Sequence, residues 1–408
     1  LKTFFDVTNE DIAEAVYKSD SLILEQSDKT RRITMEQLSA TLDNQEGEHF
    51  PSFPMANIVL NGYDGYLYPN NMDHFQKQNI NCCITPVLKV DSQRLISEEN
   101  TSYFFNTPPS GGYNTSSYDK WENESSDYMN MGLKQKILYT IADAKKKGVH
   151  VSMIRPTCRE VHISGSAKYG DYFPTSFIPD NIDLYFADLS SILINISSIC
   201  IENNIPYVGI PADGMSSFVS VYTDEYIKIY NRLKNLFPDL DYVLYLDTSQ
   251  ISDMFGVCSK AYEACDIVGY SMFPGYKIGL YSDDNYWKNV TLIKGAMYDF
   301  GLRSPFKYVE RACTKYNKPA VIDFGCVPYN DGLSNPHDRY YVGGNGQKNY
   351  NVQKALFDAF MQVFATNGNL LGFVINTDGS FKYFPDTTAS NVAEQFILEY
   401  LKEKRLWV

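Results

Sequence analysis

PYVGIPADG (206–214), DEYIKIYNRLKNLF (224–237) and DYVLYLDTS (241–249) follow one another as an apolar run, an amphipathic stretch and a second apolar run. In the middle segment Tyr226, Ile229, Tyr230 and Leu233 recur at helical spacing, which predicts a helix with one buried face. The flanking runs are short, β-branched and nearly continuous rather than alternating, as in strands covered on both faces. The same strand–helix unit is legible at IVLNGY (58–63), INCCITPVL (80–88), VHVSMIRP (149–156), CDIVGYSMFP (265–274), PAVIDFGC (319–326) and LLGFVINTDG (370–379). Eight such units close into an α/β fold, the (β/α)8 TIM barrel, expected over residues 54–405. Barrels of this kind place their chemistry where strands run into the following loops, so strand-end residues are the candidates.

Composition narrows the partners. The chain has 36 Lys and Arg against 49 Asp and Glu, a formal net charge of −13. A phosphate-tracking groove needs clustered cations, and the only short basic runs are Lys145-Lys146-Lys147 and Arg31-Arg32. The first falls at a predicted helix C-terminus, where cations favour the macrodipole. No nucleic-acid partner is expected. No stretch approaches the roughly 18 apolar residues of a membrane span, and the opening LKTFFDVTNEDIAEA has no signal-peptide pattern. The eight cysteines are scattered, without CxxC or Cys/His ligand spacing. Buried free thiols in a chain folded in a reducing cytosol are expected, with no metal and no cofactor. The 32 Tyr and 24 Phe admit two accounts, rings and hydroxyls suited to sugars or ordinary packing.

Two regions stand apart from the repeat. In residues 1–50, SLILEQ and RRITM flank a polar SDKT and predict a hairpin, followed by a short helix in MEQLSATLDN. The segment SDSLILEQSDKTRRITMEQLSATL (19–42) resembles a short module recurrent in bacteriophage tail-fibre and other virion proteins. That resemblance implies an attachment segment gripping other virion proteins, and residence in a virion assembled in the host cytoplasm. Residues 43–56, with two prolines, read as a polar linker. After the second strand, residues 91–128 form an insertion too polar and too rich in Gly and Pro for a barrel helix. Its aromatic residues, Trp121 among them, are candidates for one wall of a groove on the strand-end face. Further insertions are expected after strands three (158–179), six (274–287) and seven (327–347).

The strand ends carry a second resemblance. GVHVSMIRP (148–156), DIVGYSMFP (266–274) and KPAVIDFG (318–325) are similar to strands three, six and seven of the retaining (β/α)8 mannanases, cellulases and galactanases. In that clan strand three runs Gly-hydrophobic-x-Val-x-hydrophobic-Lys/Arg-Pro, strand six begins with Asp and ends Tyr/Phe-Pro, and strand seven carries Lys-Pro before its Glu. The departures fall on the catalytic positions. The clan's strand four ends Asn-Glu, whereas this chain has Gly209-Ile210-Pro211-Ala212-Asp213; strand seven carries Asp323 where the clan has Glu. Retaining hydrolysis needs two carboxyl groups about 5–5.5 Å apart. A pair of the shorter Asp213 and Asp323 opens that gap and points to inversion, or to no hydrolysis.

Asp213 and Asp323 are therefore the candidate catalytic acids. Asp64 and Asp247, at the ends of strands one and five, join them on the rim, with Asp378 read as a turn residue before Gly379. Arg155 is the strong cation at the rim, expected to pair with the acids or to bind an acidic sugar. Tyr270 and Phe273 are expected as a stacking floor. None of this has the His geometry of a Ser/His or metal mechanism; His162 lies in a loop. The expected function is a virion component whose glycosidase-like barrel engages host polysaccharide by binding, as a homo-oligomer within an assembly. An active depolymerase using Asp213 and Asp323 is the alternative.

Overall fold

The computed structural model describes residues 21–26, 29–34, 53–60, 71–90, 121, 124, 126, 128, 131–160, 182–212, 216–247, 258–272, 285–298, 305–330, 332–333, 348–364, 369–377 and 391–405. Strands β1 (Ser21–Gln26) and β2 (Lys29–Thr34) form the hairpin expected near the N-terminus, antiparallel with Gln26 opposite Lys29. Then follow β3 (Phe53–Leu60), α1 (Asn71–Gln78), β4 (Asn81–Val90), α2 (Leu133–Lys146), β5 (Val151–Ile154), β6 (Thr157–Glu160), α3 (Ile182–Asn203) and β7 (Tyr207–Ile210). The second half comprises α4 (Ser216–Val221), α5 (Thr223–Leu236), β8 (Asp241–Asp247), β9 (Ile267–Met272), α6 (Tyr286–Tyr298), α7 (Pro305–Tyr316), β10 (Ala320–Phe324), α8 (Asn351–Phe364), β11 (Leu370–Ile375) and α9 (Val392–Arg405).

The large sheet is parallel in the order β3-β11-β10-β9-β8-β7-β5-β4-β6, and the extra pairing of β3 with β4 closes it. Eight strands form the barrel, and every apolar run read as a strand supplies one. Two boundaries differ from the sequence expectation. Residues 53–56 belong to β3 rather than to a linker: Phe53, Met55 and Ala56 are buried, and Pro54 starts no pairing that its missing N–H prevents. The third strand also does not end at Pro156. Its register with β4 runs Met153 to Cys83 and Ile154 to Ile84, then resumes as Thr157 to Val87 in β6. Arg155 and Pro156 interrupt the ladder, since Pro156 and its counterpart Pro86 offer no N–H. Residues 158–160, expected in a loop, extend this strand.

Four helices end in one way. Asn79, Gly148, Asn204 and Asn317 adopt φ of 52°, 68°, 56° and 51°. In each case the following N–H reaches back five residues, Ile80 to the Phe75 carbonyl, Val149 to Ala144, Ile205 to Cys200 and Lys318 to Cys313. Left-handed Asn or Gly followed by a 6→1 bond closes the helix and turns the chain into the next strand.

Two apolar layers result. Phe53, Met55, Cys83, Met153, Val243, Tyr245, Ile267, Val321 and Val374 fill the barrel interior. The Phe53 ring stacks on Tyr207 at 4.5 Å, and Gly372 makes room, because a Cβ there would lie 2.5 Å from that ring. The larger layer lies between strands and helices. Helix α3 is the one described helix long and apolar enough to cross a bilayer. Its Tyr185, Leu189, Leu193, Ile196 and Cys200 are buried in this layer, so it serves as a core helix. Cys82, Cys83, Cys158, Cys200, Cys265, Cys313 and Cys326 are buried free thiols.

The seam between first and last units carries two polar clasps. Thr377 N–H donates to Asn57 Oδ1 at 2.7 Å, and Asn57 Nδ2 donates to Asn376 at 3.2 Å. Outside the barrel, His74 on α1 meets Glu394 on α9 at 2.7 Å, and Gln78 donates to the same carboxylate oxygen at 3.1 Å, all three buried. Burial acts to raise the Glu394 carboxyl, but the His74 hydrogen bond and charge, Gln78 and Lys77 outweigh it and hold it below the ordinary value of 4.5. A depressed carboxyl contributes stability above its unfolded pKa that is lost as pH falls through the folded one. Urea midpoints should therefore fall more steeply for wild type than for Glu394→Gln once the pH drops below 4.5. At pH 7 the variant should be the less stable of the two. Parallel curves from pH 7 to 3 would show that the clasp contributes nothing.

Candidate active site

Strand parity decides which residues can meet at the mouth. On β10, Ile322 and Phe324 face the helices while Val321 lies in the interior, so Asp323 points inward. On β9, Tyr270 and Met272 face out and Ile267 faces in, which turns Ser271 inward. The ladder places Asp323 beside Ser271, and Ser271 beside Asp247 at the end of β8. One layer above the apolar interior there is thus a polar ring that includes Asn57, Thr85, Arg155, Ser271 and Asp323, each below 5 % exposed.

Arg155 organises this ring. Nη1 donates to Asp323 Oδ2 in a short ion pair, and Nη2 donates to Ser271 Oγ at 2.9 Å. The guanidinium carbon lies 3.8 Å from the centre of the Tyr245 ring, a cation–π contact. The Tyr245 hydroxyl in turn reaches Met153 Sδ at 3.9 Å. Backbone geometry permits the placement. Arg155 N–H bonds to the Ile84 carbonyl at 2.7 Å, and Gly209 on β7 leaves the space beside it. A Cβ at Gly209 would lie 2.8 Å from Arg155 Cγ and 3.0 Å from its Cα.

The remaining sequence candidates are placed as follows. Asp247 is in register with the Ser271–Asp323 row but two strands from Asp323. Asp64, Asp213 and Phe273 lie outside the described residues, as do His162 and Asp378. Tyr270 is not at the mouth. Its position one residue before the inward Ser271 turns it outward, where it is fully buried and its ring packs 5.4 Å from Tyr308 on α7. Trp121 is likewise not a groove wall. It is 2 % exposed within the outer core, and its carbonyl accepts from Lys134 N–H in the first turn of α2. The buried indole contributes its apolar area to the outer core. Ser271 and Tyr245 went unrecognised by sequence reasoning. The available signal was parity: each lies an even number of residues from an inward position on its strand. Among the described residues, no group of three or more His, Cys, Asp or Glu side chains is placed to hold a metal ion.

No protein-family model and no curated protein matches this chain. Solved structures do. A GH113 β-1,4-mannanase complex aligns with a TM-score of 0.53 at 13 % identity, covering 87 % of this chain and 99 % of the other. The GH113 β-mannanase of Alicyclobacillus acidocaldarius in complex with ManMIm gives 0.53 at 10 %, over 87 % and 98 %. A β-D-glucuronidase of Dictyoglomus thermophilum gives 0.50 at 8 %, over 94 % of this chain and 54 % of the other. The fold is a (β/α)8 barrel, shared with these glycoside hydrolases. At such identities the likeness extends to the fold alone, and chemistry has to be argued from the ring of side chains.

Breaking a buried ion pair from one side leaves an uncompensated charge and costs about 3–5 kcal/mol, whereas replacing both partners with apolar groups is often neutral. Asp323→Asn and Arg155→Met should each destabilise by about that amount in urea unfolding. Arg155→Met combined with Asp323→Leu should recover most of the loss. Additive losses in the double variant would mean that the two side chains act independently.

Proposed function

We propose that this chain is a polysaccharide-binding barrel of glycosidase shape, carried in a bacteriophage virion through residues 1–50. The Arg155–Asp323 pair carries the binding half of the reading. Asp323 occupies the strand-seven position where the resembled clan keeps its nucleophile Glu, is 2 % exposed, and accepts from a guanidinium fixed by Ser271 and Tyr245. A glycosidase nucleophile has to present an oxygen to the anomeric carbon from one side while an acid about 5–5.5 Å away serves the other. A side chain one methylene shorter, drawn down into the ring, favours a structural role for Asp323 and leaves the mouth to bind sugar. The similarity in fold to mannanases and a glucuronidase supports a glycan as ligand. The virion half rests on the tail-fibre resemblance of residues 19–42 and on the hairpin formed there. A two-stranded hairpin is marginal alone, which suits a segment stabilised by other virion proteins in a homo-oligomeric assembly.

Incubation with β-1,4-mannan, β-1,4-galactan and hydroxyethylcellulose, with retention and reducing ends followed separately, tests the first half. Retention without release is expected. Release by wild type that Asp323→Asn and Asp213→Asn each abolish, with both variants still folded by circular dichroism, would establish the alternative, a hydrolase acting through both acids. For the second half, chemical cross-linking of purified particles should join Lys18 and Lys29 to other virion proteins. Cross-links confined to this chain's own barrel would remove the attachment role.

A further inference from the structure

The sequence holds three tryptophans. Trp121 is buried and Trp407 lies outside the described residues, while Trp287, in the first turn of α6, is 69 % exposed. Leaving an indole in water forgoes roughly 150–250 Å² of apolar burial, on the order of several kcal/mol. Its setting is rigid. The Trp287 ring meets Tyr286 edge-on, 5.2 Å between centroids at 78°. Tyr286 is itself held, its hydroxyl donating to Asp358 Oδ2 at 2.9 Å and its ring lying 4.8 Å from the Lys354 ammonium. That ammonium also lies 4.9 Å from the Phe396 ring on α9. Its backbone is also tied, since Thr291 Oγ1 donates to the Trp287 carbonyl at 2.9 Å.

Helices α6 and α8 run side by side in one direction, Tyr286 beside Asp358 and Lys294 bonded to Gln362 at 2.9 Å. Helix α8 leaves the strand-end face of the barrel, so the first turn of α6 stands on that same side. Trp287 is an exposed ring on the outside of the barrel, beside the tethered Tyr286 and at the end where the polar ring lies.

We infer that Trp287 is an outer sugar-binding platform, stacking the C–H face of one pyranose of a polysaccharide that continues past the barrel mouth. This rests on the glycan-binding reading above and adds a subsite to it. The surroundings favour a sugar over a protein. Lys288 and Thr291 are exposed on the same helix, as is Leu292, at 43 % exposure. A stable protein interface buries about 800 Å² per partner around a desolvated core, far more than one ring amid polar side chains supplies. A single ring with hydrogen-bonding neighbours matches a single sugar unit.

The test is affinity electrophoresis of the full chain through gels containing β-1,4-mannan, β-1,4-galactan or hydroxyethylcellulose. Trp287→Ala should weaken retardation roughly fivefold, while Trp287→Phe, which keeps a ring, should retain most of it. Val221→Ser, at another exposed apolar position, serves as a control and should match wild type. Unchanged melting of Trp287→Ala is expected, since the indole contributes to no core. Wild type retarded by a glycan and Trp287→Ala retarded equally would overturn the platform and leave the glycan reading standing. Wild type retarded by none of the three would overturn both. A sedimentation shift in Trp287→Ala with unchanged retardation would assign the ring to a contact between protein chains instead.

Discussion

The ladder that joins first and last strands is the constraint on which the rest depends. A parallel sheet of eight strands has two unsatisfied edges until β3 pairs with β11, Phe53 to Ala56 alongside Gly372 to Ile375. Only then are the backbone groups of both edges bonded and the interior sealed from water. The side chains at this seam serve closure. Gly372 gives space to the Phe53 ring, Asn57 bonds to the backbone and side chains of Asn376 and Thr377, and His74 and Glu394 tie the first helix to the last. These contacts span more than 300 positions in the chain, so they form at a high cost in loop closure.

Closure fixes the interior as a stack. Phe53, Met55, Cys83, Met153, Val243, Tyr245, Ile267, Val321 and Val374 pack together there, with Tyr207 against them. The polar ring of Arg155, Ser271 and Asp323 caps the stack. A dry hydrocarbon layer beneath a charged pair excludes water from one side and raises the cost of any unpaired charge. Arg155 is therefore answered from several directions, by a carboxylate, a hydroxyl and an aromatic face. The interrupted third strand contributes directly: without Pro156 and Pro86 the ladder would continue unbroken past Arg155.

The Arg155–Asp323 pair differs from the paired carboxylates of a retaining glycosidase. In such a site the carboxylates face the substrate, and their pKa values are pushed apart so that one attacks and one donates. Here the strand-seven carboxylate faces a guanidinium within the wall. On the proposed reading, a barrel of this shape with a changed charge arrangement suits binding, since contacts to sugar hydroxyls and C–H faces need no nucleophile. In that proposal Trp287 extends the surface outward from the mouth.

The sequence by itself determined the barrel. Continuous β-branched runs alternating with 3.6-periodic segments admit few architectures, and eight of them in order admit the closed one. It located Asp323 and Arg155 at strand ends. Only the tertiary structure decided what those residues do. Which side of a strand a residue occupies depends on register, and one position separates the inward Ser271 from the outward Tyr270. Trp121 and Trp287 are chemically identical, and their opposite fates, core anchor and open ring, follow from which neighbouring helix covers each. The pairing of Arg155 with Asp323 joins residues 168 positions apart. No local pattern encodes that partnership, because it exists only once the sheet has closed.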